Sequence, residues 1–83
     1  MENYYFTLEI ISPTNTEVHS IEWIEIESPT GSFLVGPCHS PLISIIKQKT
    51  SLLYKKTNAE ECTLSIQKGV FYVKDNKAVA LVD

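Results

Sequence analysis

Cys38 and His39 are the residues in this 83-residue chain with the most chemistry to offer. A thiol beside an imidazole is the pairing a cysteine nucleophile uses, with the base drawing off the thiol proton. Adjacent residues on an extended chain point to opposite faces, so only a turn could bring the two groups together. His19 and Cys62 are the only other imidazole and thiol. No third, orienting residue stands at a recognisable spacing, so the pair is read as shaping a loop and not as a catalytic dyad. A metal centre needs three or four ligands at a set spacing. Cys38, His39, Cys62 and His19 would have to converge by an accident of folding. Glu22, Glu25 and Glu27 fall on or near one strand face and read as solvated carboxylates, not as an acid–base pair. The glycines Gly31, Gly36 and Gly69 are too scattered to cradle a phosphate. These residues imply no catalysis and no cofactor.

The pair sits inside a distinctive stretch, Gly31-Ser32-Phe33-Leu34-Val35-Gly36-Pro37-Cys38-His39-Ser40-Pro41-Leu42. Two glycines, two prolines and a histidine between apolar β-formers mark a shaped surface loop. Val35, Leu42 and Ile43 are expected to lie partly exposed beside it. Trp23, Phe33, Tyr54 and Phe71 are expected in the core.

The elements that must hold this loop read as strands. Ile, Val and Thr make up 22 of the 83 residues, a composition that favours strands. Tyr4, Phe6, Leu8 and Ile10 alternate with Tyr5, Thr7 and Glu9. Cys62, Leu64 and Ile66 alternate with Thr63, Ser65 and Gln67. Each pattern predicts a half-buried strand of an antiparallel sheet. From Ile21 to Glu27 the alternation slips phase at Trp23-Ile24, which a β-bulge or a twist would reconcile. Leu42 to Ile46 is almost wholly apolar, so it is either buried on both sides or placed next to a partner. Val70–Val73 and Ala78–Val82 flank Lys74-Asp75-Asn76-Lys77, a tight hairpin signal because Asp and Asn tolerate positive φ. Turn signals recur every ten to twenty residues and no segment carries a 3.6-residue stripe. The reading is one all-β domain, a sandwich or barrel, over residues 1–83.

Composition narrows the function classes. The net charge is −3, from ten acidic residues and seven lysines, with no arginine. Nucleic-acid binding is therefore not expected, since it needs a basic patch. Lys47, Lys49, Lys55 and Lys56 gather in one segment, and Glu22, Glu25 and Glu27 in another, which suggests an electrically two-sided surface. The polar, acidic start Met1-Glu2-Asn3-Tyr4 lacks the basic n-region of a signal peptide. No apolar run approaches the ~18 residues of a membrane span. The chain is expected to be soluble and cytoplasmic. Two cysteines make no disulfide framework, and both are expected as small, buried or half-buried apolar residues.

The stretch from Gly31 to Leu42 resembles a run of the N-terminal domain of the ε subunit of F-type ATP synthases, Gly-Glu-Phe-Gly-Val-Leu-Pro-Gly-His-Ala-Pro-Leu. Gly31, Phe33, Val35, Pro37, His39, Pro41 and Leu42 match it, and a histidine between two prolines is an uncommon device. The opening Phe6-Thr7-Leu8-Glu9-Ile10-Ile11-Ser12-Pro13, the acidic strand from Ile21 to Glu27 and the closing segment from Gly69 to Asp83 are also similar to the family. The resemblance implies a flattened antiparallel β-sandwich of about ten short strands. It implies a non-catalytic central-stalk subunit of the rotor, set between the γ subunit and the c-ring with the catalytic head above. There it would couple proton flow to ATP synthesis or hydrolysis. It further implies a peripheral place on the cytoplasmic face of the bacterial inner membrane, reached only through the complex. The interface residues it implies are Gly31, Ser32, Phe33, Val35, Pro37, His39, Pro41 and Leu42, with Ser32, His39 and Leu42 clustered at the lower surface of the stalk. The runner-up reading is a stand-alone β-sandwich that binds a small molecule or peptide in a concave pocket lined by the aromatics.

The chain departs from the family at definite positions. Leu34, Gly36 and Cys38 stand where the family has Gly, Leu and Gly. Ser32 stands where an acidic residue is usual, and Gln48-Lys49 replaces a Pro-Gly turn. Lys68-Gly69 replaces a double glycine. The sequence stops at Asp83, where the family continues into a helical hairpin. A natural short form lacking that hairpin is the expectation taken here, and a fragment is the alternative.

Overall fold

Alternating apolar residues become eight strands in the computed structural model, which describes residues 6–83. They are β1 (Thr7–Ile11), β2 (Thr16–Ser28), β3 (Gly31–Val35), β4 (Leu42–Ile46), β5 (Thr50–Lys56), β6 (Glu61–Ile66), β7 (Gly69–Lys74) and β8 (Lys77–Val82). Tyr4 and Tyr5, the start of the expected first strand, lie outside the described residues.

Two layers share one long strand. In the first the order is β4-β7-β8-β1-β2, and in the second β2 continues between β3 and β5, with β6 beyond β5. The 13 residues of β2 explain the sharing. Its first half, Thr16 to Ser20, pairs with β1, and its second half pairs with β3 and β5. The register against β5 shifts between Ile21 and Trp23. The extra residue, Glu22, bends and twists the strand, as a bulge does. Ile21, Ile24 and Ile26 are all buried as a result. The phase slip in the sequence is this bulge. It also accounts for part of the difference between the eight strands found and the ten or so expected, because the second strand and the acidic strand are one strand bent at Glu22.

A second difference concerns polarity. β1 and β8 run parallel, Thr7 beside Lys77 and Ile11 beside Leu81, while every other pair is antiparallel. The first and last strands thus meet in the middle of the first layer, a contact that only the whole intervening chain can deliver.

Leu8, Ile24, Ile46, Leu52 and Phe71 are wholly buried between the layers. Burying each such side chain contributes about 1.5–3 kcal/mol. Tyr54 and Phe71 are core residues as expected, while Trp23 and Phe33 are half-buried. Burial pushes the Tyr54 hydroxyl above the usual tyrosine pKa, helped by the nearby Cys62 and Glu17, and its ring stacks on His19 at 5.7 Å.

The β7–β8 hairpin turns through Asp75 and Asn76, both at positive φ (53° and 61°), as the sequence predicts. Gly69 opens β7 for a different reason. A Cβ there would meet the Leu81 carbonyl oxygen at 2.6 Å, closer than side chains tolerate.

The lysine and glutamate segments do not form two separate surfaces. β2 and β5 are neighbours, and Lys55 Nζ lies 3.0 Å from Glu22 Oε2. That ammonium holds the Glu22 carboxyl below the usual glutamate pKa, first by its hydrogen bond and then by its charge.

Candidate functional site

β3 ends at Val35 and β4 begins at Leu42, leaving a loop of residues 36–41 at the same end as the β7–β8 turn. Cys38 is its pivot. Its φ is 63°, in the left-handed region that L-residues resist. That conformation lets its N–H donate to Asn76 Oδ1 at 2.6 Å. Of the three departures from the family run, only Cys38 is strained. Leu34 lies in β3, and neither it nor Gly36 has a positive φ.

The imidazole of His39 does not serve the thiol. Its Nδ1 lies 2.7 Å from the Ser40 carbonyl, which can only accept, so Nδ1 carries the proton and the ring folds back on its own loop. Cys38 itself is exposed, where a buried or half-buried cysteine is expected, because it sits on the surface loop between β3 and β4. Cys62 is half-buried and packs against the core. Among the described residues, no three His, Cys, Asp or Glu side chains gather as metal ligands.

The implied interface residues divide. Pro37 and Pro41 are exposed and His39 half-buried, all on the loop. Gly31 and Ser32 are exposed at the other end of β3, beside the Ser28–Gly31 turn. Ser32 instead shares a small polar hollow with Glu25, Glu27 and Ser51. Of Ser32, His39 and Leu42, the latter two follow the C-terminal end of β3, and Ser32 lies near its start. Phe33 and Leu42 are half-buried and pack against the core. Val35 is 0 % exposed. It pairs with Ile24 and belongs to the core cluster, where a partly exposed residue is expected.

The larger exposed surface is one the sequence only hinted at. On the outer side of the first layer, Ile43 stands beside Tyr72, and Ile45 beside Val70 and then Leu81. Leu81 neighbours Ile11 in turn. Ile43 is 78 % exposed and Ile45 65 %, with Val70, Tyr72 and Leu81 also exposed. The apolar run from Leu42 to Ile46 is thus not buried on both sides: its inward residues pack and its outward residues open this face. Contiguous apolar surface of this kind marks an interaction site. A shallow groove of about 440 Å³ continues it, between Ile45, Val70, Leu81 and Val82. Its lining is mostly aliphatic with Gln48, Lys68 and Asp83 also contributing, and none of Trp23, Phe33, Tyr54 or Phe71 lines it. No helix among the described residues is long and apolar enough to cross a membrane.

Comparisons agree with this architecture. A family described as the ATP synthase, Delta/Epsilon chain, beta-sandwich domain matches residues 5–83. No curated protein sequence gives a significant match. Among solved structures, a chain of the Euglena gracilis mitochondrial ATP synthase (OSCP/F1/c-ring, rotational state 1) superposes with a TM-score of 0.86 at 13 % identity, covering 96 % of this chain and 51 % of that one. A chain of the Tetrahymena thermophila mitochondrial ATP synthase (central stalk/c-ring) gives a TM-score of 0.80 at 10 % identity, covering 99 % and 66 %. The chain therefore spans about half to two-thirds of the length of these structural relatives. At such identities the likeness is one of fold, and the family match carries the assignment: this chain belongs to the ATP synthase delta/epsilon β-sandwich family.

Proposed function

We propose that the chain is a non-catalytic central-stalk subunit of an F-type ATP synthase rotor, coupling ion flow through the c-ring to ATP synthesis or hydrolysis. One observation carries the reading: the family match runs through residues 5–83 and includes the loop from Gly31 to Leu42. The geometry supports it in two ways. The face of Ile43, Ile45, Val70, Tyr72 and Leu81 offers a docking surface for the γ subunit. The loop of residues 36–41 and the turn before Ser32, which flank the short strand β3, offer polar and proline-shaped contacts suited to the loops of the c-ring. His39 is turned to Ser40 and not to Cys38, so these two residues do not pair as base and nucleophile. The subunit would sit on the cytoplasmic face of a bacterial inner membrane, held there through the complex. The test is co-purification with the γ subunit of the same organism. A stoichiometric complex is expected, and failure to form one under any ratio overturns the proposal.

A further inference from the structure

Among the described residues, one hydrogen bond ties the loop of residues 36–41 to the rest of the fold, Cys38 N–H to Asn76 Oδ1 at 2.6 Å. Its two ends lie 38 residues apart, and Asn76 makes a second connection. Its main-chain oxygen accepts from Thr7 N–H at 3.1 Å, at the start of β1. Asn76 therefore joins three pieces of chain: its own β7–β8 turn, the first strand and the loop.

The residue type is informative. A two-residue turn with both residues at positive φ favours glycine at its second position, because glycine adopts that conformation without strain. Here the second position is Asn76, with φ 61°. Glycine would turn the chain equally well but has no Oδ1. Cys38 takes a left-handed φ whose consequence is to aim its N–H at that oxygen. Two residues in a disfavoured region of the backbone meet at one short hydrogen bond.

We propose that Asn76 is a positioning residue that holds the docking loop in the shape its partner reads, with Pro37, His39 and Pro41 displayed together. This inference rests on the reading of the loop as a docking element. Among the described residues, the backbone between Pro37 and Pro41 has no other bond to the fold. Loss of Oδ1 frees the loop while leaving the sheet intact, because the Thr7 bond uses the Asn76 main chain.

The experiment compares Asn76→Gly with Asn76→Asp in the full chain. Glycine keeps the turn and removes the acceptor. Aspartate keeps an oxygen acceptor and tolerates the same φ. Amide exchange at Cys38 and binding to the γ–c-ring rotor are measured for each, with thermal unfolding as the check on the fold. In Asn76→Gly the Cys38 amide is expected to exchange up to about tenfold faster, the fold-change that loss of one hydrogen bond allows, and rotor binding to weaken. Asn76→Asp is expected to restore both. Unchanged Cys38 exchange in Asn76→Gly overturns the latch. Faster exchange with unchanged rotor binding overturns the positioning role while leaving the proposed function standing. Failure of the unaltered chain to bind the rotor overturns the functional reading and the docking role with it, and the exchange comparison still decides whether Asn76 holds the loop.

Discussion

Replacing Cys38 by glycine should stabilise the fold, although the substitution removes a side chain. The magnitude follows from the backbone. A non-glycine residue in the left-handed region costs about 1–2 kcal/mol. Glycine relieves that cost but adds freedom to the unfolded chain, which offsets roughly 0.4–1 kcal/mol. Cys38 is exposed, so little burial is lost. The net gain is about 0.5–1 kcal/mol, or roughly 2–8 °C in Tm for a domain of this size. Two companions make the comparison sharp. Cys38→Val, β-branched at the same φ, should lower Tm. Gly36→Ala should hold or raise it, because Gly36 has no positive φ and its nearest contact, the Glu22 carbonyl oxygen, is 4.0 Å from the added Cβ. Thermal and urea unfolding of the three variants test the reasoning. A destabilised Cys38→Gly beside a tolerated Cys38→Val would show that Cys38 is not held at positive φ, and the account of the loop would fall.

Other outcomes follow from single positions. Gly69→Ala should destabilise by about 1–3 kcal/mol, since its Cβ would press on the Leu81 carbonyl within the β7–β8 ladder; an unchanged urea midpoint would refute this. The Glu22 carboxyl is held low by Lys55, so the pair stabilises the fold above the ordinary glutamate range and loses that contribution as pH falls through the lowered pKa. In Lys55→Met the Glu22 titration, followed by NMR, should move upward toward the usual value, and no movement would refute the pairing. Ile43→Glu should leave Tm nearly unchanged, because Ile43 is exposed, yet abolish binding to γ; retained binding would place the γ surface elsewhere. Ser32→Lys should weaken coupling of proton flow to ATP turnover without altering Tm, checked in membrane vesicles, and unaltered coupling would remove the β2–β3 turn from the contact.

Much of the fold is written in short-range pattern. The alternation of Leu8 and Ile10, the slip near Trp23 and the Asp75-Asn76 turn are local signals, and each is found in place. What sequence leaves open is long-range. The parallel contact of β1 with β8 joins residues about seventy positions apart and has no local trace. The same holds for the site. Ser32 and Val35 sit three residues apart in one strand, yet one is exposed at a turn and the other is wholly buried. Matching residue types cannot tell a contact residue from its support. Residue type alone does not separate Leu34, Gly36 and Cys38, and only backbone geometry singles out Cys38. The outer apolar face had a partial signal in Leu42 to Ile46, but Val70, Tyr72 and Leu81 join it only through strand order. Asn76 is legible as a turn residue but not as a partner of Cys38, because that contact spans 38 residues of chain.

The central claim is that this chain couples the rotor. The most direct measurement is ATP-driven proton pumping by the synthase of the same organism, assembled in vesicles without this subunit and then supplied with the purified chain. Restored pumping at an unchanged or higher ATPase rate is the predicted result. Pumping that stays absent while the chain binds, or that is already complete without it, would contradict the account.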